Sequence, residues 1–524
     1  MELDRDSCYR ALQTRDARFD GRFFTGVLST GIYCRPICPA RTPKLAQCRF
    51  MPSAAAAEQA GFRACLRCRP ETSPDLAAWY GTATTVTRAL RLIAEGALDD
   101  VNVEQLCDRL GIGERHLRRL FDQHVGASPN AVALTRRLLF AKQLITETSL
   151  SMTDIALASG FGSIRRFNDA FLKRNGHAPS RIRRRTGIVA SDAITLRLAL
   201  KPPYDWQSIS AFLALRAIPG VEHGDASHYA RTIALDGTTG WFEVRPWPSA
   251  TDVRALDARI AFPSVAALSV IIERIRRLFD LGADPAAIDA HLGADPMLRE
   301  LVAQRPGLRV PGSWDSFELS MRAILGQQIS VAAATRLAGK LVDRHGVALP
   351  TTAPHGLCCV FPSAAQLAEA DLLTDAGMPA TRARSLGALA RAAADDAHLF
   401  EPGLDLQACL DRLVALPGIG PWTANYIAMR ALREPDAFPG GDVALLRVAR
   451  SLGEPALTMR ELDDRSTHWQ PWRAYATLHL WMSESVSSPL ANPPSENPIP
   501  KEPDHEPVSR PDRVAARPPL AGVR

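Results

Sequence analysis

Four of the ten cysteines stand in two close pairs, Cys34-x3-Cys38 in TGIYCRPICPAR and Cys65-x2-Cys68 in FRACLRC, with 26 residues between the pairs. Thiol pairs at these spacings sit on tight turns. Two such knuckles supply the four thiolates of one tetrahedral zinc ion per chain, and Pro36 and Pro39 stiffen the first. Spacing alone favours a purely stabilising four-cysteine ribbon. A second candidate centre lies in the run Leu416-Pro417-Gly418-Ile419-Gly420-Pro421-Trp422. Its glycines remove side chains where backbone must approach something closely. Pro421 at a first helical position leaves the following N–H groups aimed outward, an anion site suited to a phosphate. An ordinary helical hairpin closed by glycines accounts for the same residues equally well. Further along, Gly440-Gly441-Asp442 puts a carboxylate at a turn before a helix over Val443 to Leu452, where a plain N-cap is a frequent aspartate role.

The elements that must position these groups are legible from periodicity. At 524 residues and 46% hydrophobic content the chain is long enough for three or four cored domains. It has no apolar run of eighteen residues and its acidic start is unlike a signal peptide, so a soluble cytoplasmic protein without membrane contact is expected. Scattered remaining cysteines suit a reducing compartment better than a disulfide scaffold. The net charge is +6, but Arg165 to Arg185 holds eight Lys or Arg against the single acid Asp169. Such clustering points to a polyanion, a solvated basic helix end being the plainer alternative.

From about Thr84 to Thr186 the chain repeats. Leu120-Phe121, Gly126 and Pro129 recur as Ala170-Phe171, Gly176 and Pro179, and Gly111 is matched by Gly160 one residue out of step. Each copy reads as helix, glycine turn, helix: Val103 to Arg109 then Glu114 to Gln123, and Thr153 to Ser159 then Ser163 to Lys173. The second helices carry Arg115, Arg118 and Arg119 in one copy and Arg165 and Arg166 in the other, suited to base edges or phosphates. Residues 193 to 261 alternate apolar and polar side chains, as in Ile194 to Leu200 and Tyr229 to Leu235, with Asp236-Gly237 a hairpin turn. A helix from Ser264 to Asp280 should cover one face of that sheet. No catalytic constellation is visible there, so the sheet reads as scaffold. Residues 286 to 486 read as almost wholly helical.

Three stretches resemble known families. Residues 8 to 78, through Ser29-Thr30-Gly31-Ile32-Tyr33-Cys34-Arg35-Pro36, Ala40-Arg41 and Ala60-Gly61-Phe62-Arg63, are similar to the methylphosphotriester-repair domain of Ada-type proteins. The resemblance implies that Cys34 is both a zinc ligand and the irreversible methyl acceptor; the flanking Arg35 is expected to help hold the phosphotriester. The double repeat resembles the AraC-type regulator domain, whose paired recognition helices enter successive major-groove faces. Residues 193 to 486, through Arg322 to Ala332, Leu416 to Met429, Gly441-Asp442 and Trp469 to Ala476, resemble the AlkA-type helix-hairpin-helix glycosylases, the 3-methyladenine DNA glycosylase II family. That resemblance makes Asp442 the catalytic aspartate and Trp422, Tyr426 and Trp481 the base pocket. Gly418, Ile419 and Gly420 become the DNA-backbone contact, and Gln328 occupies the place where an apolar wedge is usual. Trp422 stands where glycosylase/lyases of the superfamily carry a Schiff-base lysine, so a monofunctional glycosylase is expected.

Two absences complete the reading. No four-cysteine cluster follows Asp442, against the iron–sulfur branch. No Pro-Cys-His-Arg sequence occurs, so O6-alkylguanine transfer is not expected. The expected architecture is multidomain and mainly α: a small zinc-bound α/β module at 1–80, a double helix-turn-helix domain at 84–187, an antiparallel sheet with helices at 192–285, an all-α helix-hairpin-helix glycosylase domain at 286–486 and a Pro-rich disordered tail at 487–524. The expected function is DNA alkylation repair coupled to transcription activation. Double-stranded DNA, both alkylated and promoter, is the partner, RNA polymerase a further one, and the chain a monomer. A regulator whose glycosylase-like half only clamps DNA is the main rival, and a repair enzyme that regulates no promoter the other.

Overall fold

The computed structural model describes residues 4–73, 84–99, 102–183, 193–350, 352–396, 398–401 and 406–487. The Pro-rich tail and the last two residues of the basic run, Arg184 and Arg185, lie outside the described residues.

The N-terminal module is a four-stranded sheet in the order Cys48–Met51, Phe24–Val27, Ile32–Cys34, Arg63–Ala64. Its outer pair, Ile32 to Tyr33 against Arg63 to Ala64, is parallel. This brings the end of one cysteine knuckle beside the start of the other. The helix Ala54–Gln59, capped by the Ser53 hydroxyl, packs Ala56 and Ala57 against Phe24, Tyr33 and Phe62.

The repeat resolves into six helices: Thr84–Ala94, Val103–Leu110, Glu114–His124, Pro129–Glu147, Met152–Ala158 and Ile164–Asn175. The expected helical bounds hold to within two residues. Asn102, Ser128, Ser151 and Ser163 each cap the helix that follows, as their type and place dictate. The long helix Pro129–Glu147 links the two copies. Leu106, Leu117 and Phe121 core the first. In the second, Ile155, Phe167 and Phe171 join Leu138 in a core that continues into the following sheet.

That sheet is antiparallel, in the order Ile194–Ala199, Val253–Ala261, Thr238–Pro248, Tyr229–Leu235, Glu222–Gly224. Asp236 and Gly237 have φ of 48° and 75°, the paired positive values of a tight right-twisting hairpin turn. The helix Leu268–Leu278 buries Leu268, Ile271, Ile275 and Leu278 against Leu196, Leu198, Val244 and Leu256, as the periodicity requires. Among the described residues of 285–487 the regular elements are helices, apart from one short antiparallel pair, Val347–Ala348 with Cys359–Val360. Strands of two residues carry no alternation to read, so the sequence showed none. Among the described residues no helix is long and apolar enough to cross a membrane.

Candidate functional site

The parallel strand pair and two turns bring Cys34, Cys38, Cys65 and Cys68 together, their sulfurs all within 4.8 Å of one another. A tetrahedral ion with sulfur at about 2.3 Å has sulfur–sulfur edges of about 3.8 Å, so the four side chains fit one Zn2+. Backbone N–H groups of Arg35 and Arg67 reach Cys68 Sγ and Cys65 Sγ at 3.4 Å each, the kind of outer support that orients metal ligands. Cys34 is 9% exposed, and Cys38, Cys65 and Cys68 are 6%, 6% and 7% exposed.

Arg35 corrects an expectation. Its guanidinium turns inward, ion-paired with Asp20 and donating from Nη1 to Cys68 O at 3.2 Å and Thr72 Oγ1 at 2.8 Å. With its donors committed and only 8% of the residue exposed, it braces the knuckle instead of facing a phosphotriester. The physical reason is Asp20: a buried carboxylate must be paired, and Arg35 is the partner.

A chain of contacts joins this cluster to the helix-turn-helix region. Tyr33 Oη donates to Glu58 Oε1 at 3.1 Å, and Thr135 Oγ1, on the long linking helix, donates to Glu58 Oε2 at 2.7 Å. Burial raises the Glu58 carboxyl, with Thr135, Arg174 and Tyr33 drawing it back. Lys142 Nζ, on the same helix, donates to Cys65 O at 3.4 Å and pairs with Glu71 at 2.8 Å. In the two second helices of the repeat Arg115, Arg165 and Arg166 are exposed, and their guanidiniums have no hydrogen bond or ion pair among the described residues. Arg118 is tied to Glu114, and Arg119 Nη2 lies 3.0 Å from His116 Nδ1.

In the helical half, Leu406–Val414 and Pro421–Arg430 flank the glycine turn. Gly418 has φ of +83°, and a Cβ there would lie 2.1 Å from Ser385 Oγ. Gln327 Nε2 donates to Gly418 O at 2.9 Å and Thr423 Oγ1 at 3.0 Å, while Arg382 holds Gln327 O at 2.6 Å. Gly420 caps the second helix with no side chain, leaving its first N–H groups outward beside the exposed Gly418. The Ile419 side chain instead is 4% exposed and packs into the core, so only its backbone is available at the surface. Gln328 is exposed with φ of 61°, a conformation uncommon for a residue with a Cβ.

Asp442 is an N-cap, and more. Its Oδ1 accepts from Ala444 N at 2.8 Å and Leu445 N at 3.4 Å at the start of Val443–Ser451. Its Oδ2 accepts from Trp422 Nε1 at 3.2 Å and Trp481 Nε1 at 3.1 Å. Trp422 and Tyr426 stack at 5.4 Å and 9°, and Tyr426 meets Trp481 at 6.3 Å and 50°. These four residues line a cavity of about 740 Å³. Asp436, the other nearby carboxylate, is bound by Arg473 at 2.7 Å and Gln470 at 3.1 Å.

Four arginines line this cavity, Arg216, Arg305, Arg322 and Arg430, and the contacts that two of them make were not foreseen. Arg430 Nη1 donates to Tyr426 Oη at 2.6 Å, and Arg216 lies 3.6 Å over the Phe212 ring. Burial would raise the Tyr426 phenol, but Arg430 and Arg216 beside it hold it below its ordinary value. Burial in turn lowers the Arg216 guanidinium to about 10. Arg430 sits one helical turn from Tyr426, a spacing that could have announced the pair. Arg216 and Phe212 come from the sheet domain, on and just past the helix Trp206–Ala214, so that domain is more than the scaffold expected.

Comparison with known proteins covers the whole of this architecture. Four family models match: the metal binding domain of Ada over residues 7–71, a helix-turn-helix domain over 106–185, the AlkA N-terminal domain over 195–315 and the HhH-GPD superfamily base excision DNA repair protein over 321–463. The chain is 43% identical over 488 residues to a probable bifunctional transcriptional activator/DNA repair enzyme AlkA of Mycobacterium tuberculosis (strain ATCC 25618 / H37Rv), covering 92% of this chain and 97% of that one. It is 37% identical over 287 residues to the DNA-3-methyladenine glycosylase 2 of Escherichia coli (strain K12), 54% of this chain and 95% of the relative. It is 33% identical over 159 residues to the bifunctional transcriptional activator/DNA repair enzyme Ada of the same strain, 30% of this chain and 43% of the relative. With a four-thiol cluster, paired helix-turn-helix units and an aspartate-lined aromatic cavity in one polypeptide, the chain belongs to the family of bifunctional transcriptional activator/DNA repair enzymes that the M. tuberculosis relative represents.

Proposed function

We propose that the chain repairs alkylated double-stranded DNA by two chemistries and uses the first to activate transcription. The observation that carries the glycosylase reading is Asp442 Oδ2 facing the cavity with two indole N–H groups fixed on it. A carboxylate so held keeps its geometry. Cleavage of an N-glycosidic bond builds oxocarbenium character on the deoxyribose, and that charge stabilises it or orients the attacking water. The flipped base enters against the Trp422 and Tyr426 stack. A purine alkylated at a ring nitrogen is cationic, leaves without a strong general acid, and is attracted to indole faces. Arg216 and Arg430 occupy the Tyr426 end, which directs that positive charge toward Trp422 and Asp442. Among the described residues no lysine lines the cavity, which supports a monofunctional enzyme. The glycine turn and the open helix start at Pro421 bind a DNA phosphate, and Gln328 enters the gap that the flipped base leaves.

At the other end, zinc when bound keeps the four sulfurs deprotonated. Cys34 Sγ attacks the methyl carbon of a methylphosphotriester. A carbon–sulfur bond forms, the carbon–oxygen bond breaks, and the phosphodiester is restored. The thioether stays on Cys34, so each molecule acts once. Methylation turns a thiolate into a neutral thioether and removes one negative charge. At an effective dielectric near 20 and about 8 Å, one unit charge against one phosphate is worth about 2 kcal/mol before salt screening, or roughly thirtyfold in affinity. The Tyr33, Glu58 and Thr135 contacts support a cluster held rigidly beside the helices bearing Arg115, Arg165 and Arg166. The methylated chain, a cytoplasmic monomer, thus binds its operator more tightly and presents itself to RNA polymerase. Operator affinity measured before and after stoichiometric methylation, at several salt concentrations, tests this. An increase that shrinks with salt and is absent in Cys34→Ser is expected, and unchanged affinity overturns the switch.

A further inference from the structure

At the edge of the five-stranded sheet three histidines from distant parts of the chain meet. His223 lies in the edge strand Glu222–Gly224, His228 immediately precedes Tyr229–Leu235, and His355 comes from the turn Pro354–Gly356 of the helical half. Each offers a ring nitrogen, and the three nitrogens lie within 4.8 Å of one another. We propose that His223, His228 and His355 form a second metal site, separate from the four cysteines, for a divalent ion of the zinc class that prefers imidazole nitrogen.

Distance and outer support carry the assignment. His223 Nδ1 and His228 Nε2 are 3.1 Å apart, close to the edge of about 3.4 Å of a tetrahedron with nitrogen at 2.0–2.1 Å. Carboxylates hold the far nitrogens of the other pair: His228 Nδ1 is 3.1 Å from Asp225 Oδ1, and His355 Nε2 is 2.7 Å from Glu243 Oε2. That leaves His228 Nε2 and His355 Nδ1 as the inward atoms. A carboxylate on the outer nitrogen fixes the tautomer and raises ligand basicity, and metal-binding histidines almost always have such a partner. Both carboxylates are themselves held, Asp225 by the backbone N–H groups of Ser227 at 2.6 Å and His228 at 3.0 Å, Glu243 by Arg245 at 2.5 Å.

The backbone also converges on this arrangement. His355 has φ of 58°, a left-handed conformation that costs a residue with a Cβ and persists where the surroundings over-determine it. Its loop is fastened to the sheet by Cys358 N and Cys359 N on Gly220 O, at 2.8 and 3.1 Å. The three rings lie nearly parallel, His228 and His355 at 4.1 Å and 30°. Bringing their lone pairs onto one ion requires rotation about the Cβ–Cγ bonds, where histidine torsion is broad and soft. His355 is exposed, so solvent reaches the fourth position. None of the three lines the cavity around Asp442. The ion would therefore clamp the helical half to the sheet domain that supplies Phe212 and Arg216 to the base cavity.

The test uses the full chain saturated with zinc, freed of loose metal, and assayed by elemental analysis. Two ions per chain are expected for wild type and one for His228→Gln or His355→Gln, the latter on an exposed turn that tolerates change. Cobalt added to wild type holding one zinc ion per chain should give the visible bands of nitrogen ligation without thiolate charge transfer, and a second equivalent of zinc should raise the Tm of wild type but not of His355→Gln. A single ion in wild type, a second ion retained in both variants, or thiolate charge transfer from the added cobalt would each overturn the site and leave a hydrogen-bonded imidazole stack.

Discussion

Asp442→Asn separates the two roles that the structure gives one side chain. Asparagine caps helices as well as aspartate does, so the start of Val443–Ser451 is preserved. The indole side is not. Oδ2 accepts from Trp422 and Trp481 while Oδ1 accepts from Ala444, and an amide has one acceptor for these two directions. Whichever way it turns, partly buried donors are left facing an NH2 group, at a cost of about 1–3 kcal/mol. The chemical loss is larger. One unit charge at about 4 Å from the oxocarbenium, at an effective dielectric near 20, is worth about 4 kcal/mol, or roughly a thousandfold in rate. The assay is single-turnover release of free methylpurine from methylated duplex with enzyme in excess, and Tm is followed in parallel. The account expects a rate lower by about a thousandfold, a modest fall in Tm, and methyl transfer to Cys34 unchanged. A rate within tenfold of wild type would refute the reasoning, because it would reduce Asp442 to a cap. Asp436, tied to Arg473 and Gln470, offers no ready replacement.

Two further outcomes follow from packing. Gly418→Ala places a Cβ 2.1 Å from Ser385 Oγ and 2.5 Å from its Cβ at φ of +83°; thermal denaturation should show a loss of about 2 kcal/mol or more, with weaker binding to any duplex. Burial, with Arg305 nearby, lowers the His479 imidazole from 6.5 to about 4. The unfolded chain therefore takes up the proton first, so this group's stability is fully present above pH 6.5 and is lost as pH falls toward 4. The loss is about 3 kcal/mol, and His479→Leu should flatten the denaturation midpoint over that window.

What the sequence made legible was local. Cysteine spacing, the doubled helix-glycine-helix pattern, the Asp236-Gly237 turn and the stripe of Leu268, Ile271, Ile275 and Leu278 are signals contained within a few residues of chain, and each element formed where expected. What was hidden depends on contacts between distant segments. Arg35 looked available until the fold put Asp20 beside it. Asp442 could be read as a plain cap, and only the approach of Trp422 and of Trp481, on the helix Arg473–Ser487, gives it a second set of donors. Arg216 and Phe212 reach the cavity around Asp442 from a different domain. His223, His228 and His355 are unremarkable singly, since nothing in a linear reading brings Pro354–Gly356 to the edge strand Glu222–Gly224, more than a hundred residues earlier.

The central claim is that one chain carries two independent repair chemistries. Its most direct test is incubation of the full chain with duplex DNA labelled in the methyl groups at phosphotriesters and at purine ring nitrogens, following label into protein and into free base separately. The account predicts one label per chain on Cys34 and continuing release of labelled base; Cys34→Ser abolishes only the first and Asp442→Asn only the second. Label on another cysteine, more than one label per chain, or loss of both activities in either well-folded variant would contradict it.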